Sequence, residues 1–373
     1  MPTKYRVGVI GHTGRGNYGH GIDTVWQKFD QCEVVAVADG DEKGRADAVK
    51  RLANAKAKTS PKPYADYRQM LDEAKPQIVA ICPRWLDQHR DMVVAAAQRG
   101  MHIYMEKPMC RTLAEADEMV AACEKHDVKL AIAHQTRYSP RLQAVREIIE
   151  SGQLGTLLEL RGRGKEDTRG GGEDLWVLGS HIMNLIHCFG GDPTWCFGRV
   201  EQNGKPVTKA EVQPGKEGIG PLAGDHVVAM YGLESGATAY FGSKRAMSTG
   251  NGRFGLQIYG SKGVLEILTG HLPSVQFLPD PLWSPGQSKA AWVPVTSAGI
   301  GKPEPYQEGG LDGGNVLAVK DLLSSIENDR QPECNILEGR TTIEMISAVF
   351  ESHRLGHPVS FPLKTRENPL SLL

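Results

Sequence analysis

Short apolar runs recur through the first third of the chain, each closed by a polar or glycine-rich segment. YRVGVIG, EVVAVAD, QIVAIC, HIYME and KLAIAH are near-continuous in apolar residues. That is the pattern of strands buried on both faces. Between them the apolar positions take helical spacing. It predicts helices over 22–29, 42–55, 87–100 and 113–126, with Gly100 closing the third and Thr112 capping the fourth. Strands alternating with helices imply a doubly wound parallel sheet, the α/β nucleotide-binding architecture of Rossmann type.

The texture changes after Tyr138. A helix over 140–151 leads to TLLELRGRG, and another helix holds SHIMNLIHCFGG. Then come DHVVAMYGL, GATAYFGSKR, FGLQIYGS and GVLEIL, with LESGAT and YGSKGV as hairpin connections. This half reads as an α+β domain built on a large, mainly antiparallel open sheet. Residues 270–314 are rich in Pro and Gly and are expected to be irregular, as a lid, an arm or an oligomer contact. Helices are expected over 316–327 and 341–355. Two domains are expected: 1–137, of nucleotide-binding architecture, and 138–373, built on the second sheet.

Composition narrows the function classes. A length of 373 residues exceeds what one core usually supports. The 43 basic and 44 acidic residues nearly cancel, so no nucleic-acid footprint is expected. The longest apolar run, 92–97, is far too short to span a bilayer, and no secretory signal is evident in the first residues. The seven cysteines are scattered and include no Cys-x-x-Cys, as expected of reduced thiols in the cytoplasm.

The first chemistry lies in VGVIGHTGRGNYGHGID, which follows the first strand and is expected to open a helix. Glycines there let backbone approach a pyrophosphate, whose charge a helix N-terminus stabilises. Gly11, Thr13, Gly14, Arg15 and Gly16 are the expected cofactor contacts. Asp39 ends the second strand, where a carboxylate would hold an adenosine ribose and repel a 2′-phosphate. That favours NAD. Arg15 sits inside the loop and could pair with a phosphate, so NADP stays open. His12, His20 and His134 are expected as hydrogen-bonding scaffold.

The second chemistry lies in HIYMEKPM. Ligands of an open parallel sheet bind beyond the carboxyl ends of its strands. Lys107 should therefore sit near a nicotinamide, partly desolvated and able to hold a substrate hydroxyl. Pro108 would fix the turn.

With its surroundings this stretch resembles the Gfo/Idh/MocA family (glucose–fructose oxidoreductase, inositol dehydrogenase, rhizopine catabolism). The resemblance rests on the glycine loop, VAD, Pro83 with His89, GMHIYMEKPM, HQTRYSP, GSHIMNLIHCFGG, LESGATAYF and LQIYGSKGVLEI. It implies a Rossmann domain, a sheet domain that packs subunits into dimers or tetramers, and NAD(P)-dependent hydride transfer with a secondary alcohol of a sugar or polyol. Lys107 matches the family's catalytic lysine and His181 its general base. Pro83, His89, Glu106 and Gln135 fall at cofactor positions, and Arg137 matches a frequent arginine.

The chain departs from that pattern at VLGSHIMN. Many members read Asp-x-Gly-x-His-x-x-Asp there, but this chain has Val177 and Asn184 in place of the carboxylates. A missing aspartate weakens a histidine base. Glu173 and Asp174 might substitute, and Lys165, Glu166 and Trp176 are candidates for the pocket wall; solvated charge on a glycine-rich loop is the alternative. His181, Asn184 and Cys188 share a helical face, and Asn184 is a substrate-binding candidate. No metal site is expected, because His187 lies off that face. Two other readings stay open: a redox-neutral glycosidase or lyase that works through a transient keto-sugar, and a nucleotide-binding sensor.

Overall fold

A computed structural model describes residues 4–54, 59–248, 252–307 and 309–373. The chain divides into two compact units. The first is Met1–Gln135 with Glu217–Ile219 and Leu311–Arg340, and the second is Thr136–Lys216, Gly220–Gly310 and Thr341–Leu373.

The first unit holds a six-stranded sheet of β1 (Tyr5–Ile10), β2 (Cys32–Ala38), β3 (Lys62–Tyr64), β4 (Ile78–Ile81), β5 (His102–Met105) and β6 (Leu130–Ile132). Its order is β3-β2-β1-β4-β5-β6, and every pair is parallel. Helices α1 (Glu42–Leu52), α2 (Tyr67–Ala74), α3 (His89–Ala97) and α4 (Leu113–Lys125) accompany it. The apolar runs become strands because both faces are covered: Val7, Val9, Ile78, Val79, Ile103 and Leu130 have no exposed surface. Each such side chain contributes about 1.5–3 kcal/mol. Thr112 caps α4 as expected, its side chain accepting from the Glu115 amide. The strand order reverses between β1 and β4, which opens a crevice at their carboxyl ends.

Three local expectations change. No α-helix follows the glycine loop; the segment expected as 22–29 holds only a 3₁₀ turn, Val25–Lys28. Gly14, Gly16, Gly19 and Gly21 take φ of 84°, 89°, 66° and 81°, and Asn17 takes 54°. The turn therefore lasts as far as Gly21, and no right-handed helix begins within it. The helix expected over 42–55 ends at Leu52, and Ala55 lies outside the described residues. Strand β3 and helix α2 fall in a polar stretch whose pattern predicts neither; Asp66 caps α2 by accepting from Arg68 N.

In the second unit, α5 (Pro140–Glu150) leads to β7 (Leu157–Arg163), α6 (Gly172–Val177), α7 (Gly179–Gly190), β8 (Pro193–Gln202) and β9 (Lys205–Pro206). A small ribbon of β10 (Gln213–Pro214) and β11 (Pro221–Leu222) follows. Strands β12 (His226–Leu233), β13 (Thr238–Lys244), β14 (Gly255–Gly260) and β15 (Gly263–Leu268) come next. Residues 270–314, expected to be irregular, extend the sheet with β16 (Val275–Leu278), β17 (Val293–Thr296) and β18 (Gly299–Ile300) around the short α8 (Pro285–Ser288). Helices α9 (Gly310–Glu327) and α10 (Ile336–Leu355) and strand β19 (Val359–Ser360) complete the order.

The eleven-stranded sheet runs β18-β17-β16-β15-β14-β7-β13-β12-β8-β19, with β9 beside β8. Among the described residues of this sheet, only β7 and β13 pair in parallel. Both expected hairpins, β12–β13 and β14–β15, are present. Across this sheet Phe197, Met230 and Tyr240 stand opposite one another in neighbouring strands. Phe197 and Tyr240 are 42% and 38% exposed, so this row leaves apolar surface uncovered. The sequence boundary at 137/138 falls two residues from the end of the first segment, but residues 311–340 return to the first unit.

Candidate active site

The glycine loop closes on itself. His12 and Asn17 exchange both backbone hydrogen bonds at 3.0 Å, and Arg15 N donates to His12 O. A Cβ on Gly16 would lie 2.3 Å from the Arg84 amide nitrogen, so only glycine fits that approach. Gly14 differs: a Cβ there would meet nothing within 4 Å. Beside the loop lies a cavity of about 250 Å³, lined by Gly11, His12, Asp39, Gly40 and Arg68 among others.

Asp39 is 2% exposed and organises this corner. Its carboxylate accepts from Thr13 N, from Thr13 Oγ1 at 2.7 Å and from Asp41 N at 3.0 Å. Thr13 is thus tied to the end of β2. Arg15 pairs with Asp87 and stacks 4.2 Å over the Trp85 ring, so its guanidinium is already engaged.

At the carboxyl end of β5, Glu106 is 1% exposed. Its Oε1 accepts from His20 Nδ1 at 2.5 Å and His20 N at 3.1 Å, and its Oε2 accepts from Lys107 N at 3.0 Å. Burial pushes this carboxyl up, but the His20 bond and the nearby positive charges outweigh burial and hold it below the ordinary range. Lys107 is 9% exposed, and its bond to Pro108 is cis. His89 is wholly buried. Its Nε2 faces Pro83 O at 2.7 Å and its Nδ1 faces the Pro108 and Met109 carbonyls at 3.1 Å. His89 and Pro83 therefore brace the Lys107 turn. Gln135, just beyond β6, donates through Nε2 to Asn315 Oδ1 at 3.2 Å.

In the second unit, His181 lies in the first turn of α7, half-buried, with its ring edge-on to Phe254 at 6.3 Å. Asn184, one turn on, is wholly buried; its Nδ2 donates to Thr342 Oγ1 at 3.2 Å and its backbone carbonyl accepts from Arg137 Nη1 at 3.3 Å. Trp176 and Val177 are also buried. Lys165 lies 3.7 Å from Asp167, whose carboxyl the Arg169 hydrogen bond lowers to about 2.

Glu166 and Asp174 are not solvated loop charges, because both are fully buried. Glu166 accepts from Arg163, Arg253 and Lys244 N. Asp174 accepts from Ser243 Oγ at 2.5 Å and Glu166 N at 3.0 Å, and burial raises its pKa. They pin the loop between β7 and α6. Among the described residues no cluster of His, Cys, Asp and Glu could hold a metal ion, and no helix is long and apolar enough to cross a membrane.

Sequence reasoning missed Asn315 and Thr342. Nothing local in either segment marks them; each reaches its partner over more than 150 residues of chain.

Residues 5–134 match the family model described as an oxidoreductase family with an NAD-binding Rossmann fold. Residues 142–266 match the GFO/IDH/MocA C-terminal domain. D-apiose dehydrogenase of Paraburkholderia graminis is 34% identical over 136 residues, 35% of this chain and 33% of that protein. Levoglucosan dehydrogenase of Pseudarthrobacter phenanthrenivorans is 25% identical over 224 residues, 53% of this chain and 57% of that protein. The chain thus spans a third to somewhat over half of these relatives. A solved levoglucosan dehydrogenase, in complex with NADH and levoglucosan, shares the fold with a TM-score of 0.76 at 18% identity, covering 97% of this chain and all of that one.

Proposed function

Because the chain belongs to the GFO/IDH/MocA oxidoreductase family, we propose that it moves a hydride between NAD and a secondary alcohol or ketone of a sugar, polyol or sugar derivative. The observation that carries this is Lys107: a nearly buried lysine at the carboxyl end of β5, a strand paired in parallel on both sides, backed by the buried Glu106. Both relatives named above are dehydrogenases, which favours hydride transfer over redox-neutral chemistry or sensing.

The residues fit the cofactor. Gly14 leaves space that a side chain would fill, and the cavity beside Asp39 has room for a ribose. Asp39 and Thr13 would hold the ribose side, Gly11, Gly14 and Gly16 the phosphates, and Gln135 the far end. The Asp39 charge disfavours a 2′-phosphate, and Arg15 is engaged by Asp87, so NAD is preferred to NADP. Bound NAD supplies the hydride acceptor. Lys107 holds the substrate oxygen by hydrogen bonding, and His181 takes the hydroxyl proton. Arg137 and Lys165 supply polar contacts to substrate, with Trp176 and Asn184 shaping the wall behind them.

Self-association through the large sheet belongs to the same reading, supported by the uncovered Phe197–Met230–Tyr240 row. The seven cysteines form no disulfide among the described residues, which suits a reducing, cytoplasmic setting.

The test mixes purified protein and NAD with polyols, aldoses, sugar acids and glycosides, and follows reduced-nicotinamide absorbance with product analysis. Substrate-dependent reduction is expected. Cleaved or epimerised product with no net reduction would overturn the assignment.

A further inference from the structure

Asn315 is fully buried, and its hydrogen bonds follow a strict logic. The His20 carbonyl can only accept, and Asn315 Nδ2 donates to it at 2.8 Å. That fixes which way the Asn315 amide points. Its Oδ1 then accepts from Tyr104 OH at 2.7 Å and from Gln135 at 3.2 Å. A group facing Oδ1 must be a donor, so Gln135 presents Nε2 inward. Its Oε1 is left without a partner among the described residues, and Gln135 keeps 8% of its surface exposed. One backbone carbonyl in the glycine loop thereby sets the polarity of a side chain at the end of β6, through one asparagine.

We propose that Asn315 is a positioning residue that holds Gln135 with its Oε1 turned toward ligand, so that this position recognises a hydrogen-bond donor, the carboxamide N–H of NAD. The proposal rests on the dehydrogenase reading. With Asn315 removed, the Gln135 amide is free to turn over and offer either end. Sequence alone makes Gln135 ambiguous, since an amide can donate or accept. The Asn315 contact removes that ambiguity.

The test is a binding titration of the full chain with NAD and with its 3-acetylpyridine analogue, whose methyl ketone has no N–H. No turnover is needed. The wild type should prefer NAD by about five- to tenfold, the effect of one hydrogen bond. Gln135→Ala should lose that preference. Asn315→Leu, similar in volume, should lose it too. Asn315→Asp keeps an acceptor facing Gln135 and should retain the preference while binding both nucleotides more weakly. A merely structural asparagine would weaken both nucleotides equally in both Asn315 variants. Retained preference in Asn315→Leu, or no preference in the wild type, overturns the proposal. If Asn315→Leu does not fold, the smaller Asn315→Ala, which likewise offers Gln135 no acceptor, is read in its place and should lose the preference. Failure of the wild type to bind NAD at all would overturn the dehydrogenase reading and the proposal with it.

Discussion

Replacing Glu106 by glutamine keeps the outline of the side chain and removes its charge. The carboxylate accepts three hydrogen bonds, from His20 Nδ1, His20 N and Lys107 N. Glutamine can turn its one oxygen toward His20, but its NH2 then meets the Lys107 N–H, donor against donor. A buried N–H left unsatisfied costs about 1–3 kcal/mol, and losing charge assistance at His20 costs about 1 kcal/mol more. The amide is easier to bury than a carboxylate, which offsets part of this. The expected destabilisation is about 2–3 kcal/mol in urea unfolding at pH 7. Its pH dependence has a definite sign. The folded pKa of Glu106 is depressed, so its contribution is present above the unfolded carboxylate value, about 4.3, and lost as pH falls through the folded value. The gap between wild type and Glu106→Gln should therefore hold from pH 8 to 5 and narrow as pH falls below about 4.3. A difference below about 0.5 kcal/mol at pH 7, within ordinary surface-substitution range, would refute the reasoning.

Further outcomes test the rest of the molecule. Lys107→Met should lower turnover by at least about a hundredfold while leaving the NAD dissociation constant within about twofold, measured by steady-state kinetics and titration. Gly16→Ala should lose NAD binding, because its Cβ would collide with the Arg84 backbone, whereas Gly14→Ala meets no protein atom, costs about 1 kcal/mol of positive-φ strain in thermal unfolding and weakens NAD binding by entering the space left for the phosphates. Burial raises the folded pKa of Asp174, so its contribution to stability falls as pH rises through the carboxylate range; Asp174→Asn should abolish that decline and change stability at pH 7 by less than about 1 kcal/mol in urea unfolding, because Asp174 Oδ1 has no partner among the described residues. Tyr240→Glu should give smaller particles by light scattering with unchanged circular dichroism.

The parallel sheet was legible because each strand is buried on both faces, and that imprints a continuous apolar run such as QIVAIC. Thr112 was legible because a cap is a local device. The glycine loop misled for the same local reason: its glycines matched a strand-to-helix junction, but four of them take positive φ and Asn17 joins them, so the loop folds as a closed turn. At Glu166 and Asp174 the sequence left two readings open, a pocket wall and solvated charge on a glycine-rich loop; only the arrival of Arg253 and Ser243 from distant parts of the chain encloses them. Asn315 was invisible for a related reason. Its partners His20, Tyr104 and Gln135 lie 295, 211 and 180 residues away, and no window of sequence contains them together.

The return of residues 311–340 to the first unit bears on how the protein is made. A ribosome delivers β1 to β6 early, yet three clasps come much later: Asn315 on His20, Cys334 N-terminal to α10 with its carbonyl on Ile132, and Arg340 on Asp117. At about 5–20 residues per second, several seconds or more separate the nascent sheet from these closures. The large antiparallel sheet emerges in that interval. The cofactor half is thus first in the message, yet it closes only after most of the second unit has emerged. A chaperone that shields the unclasped strand ends would meet its client in that interval, and a fragment cut after Gln135 would retain every strand of the parallel sheet while lacking the parts that lock it.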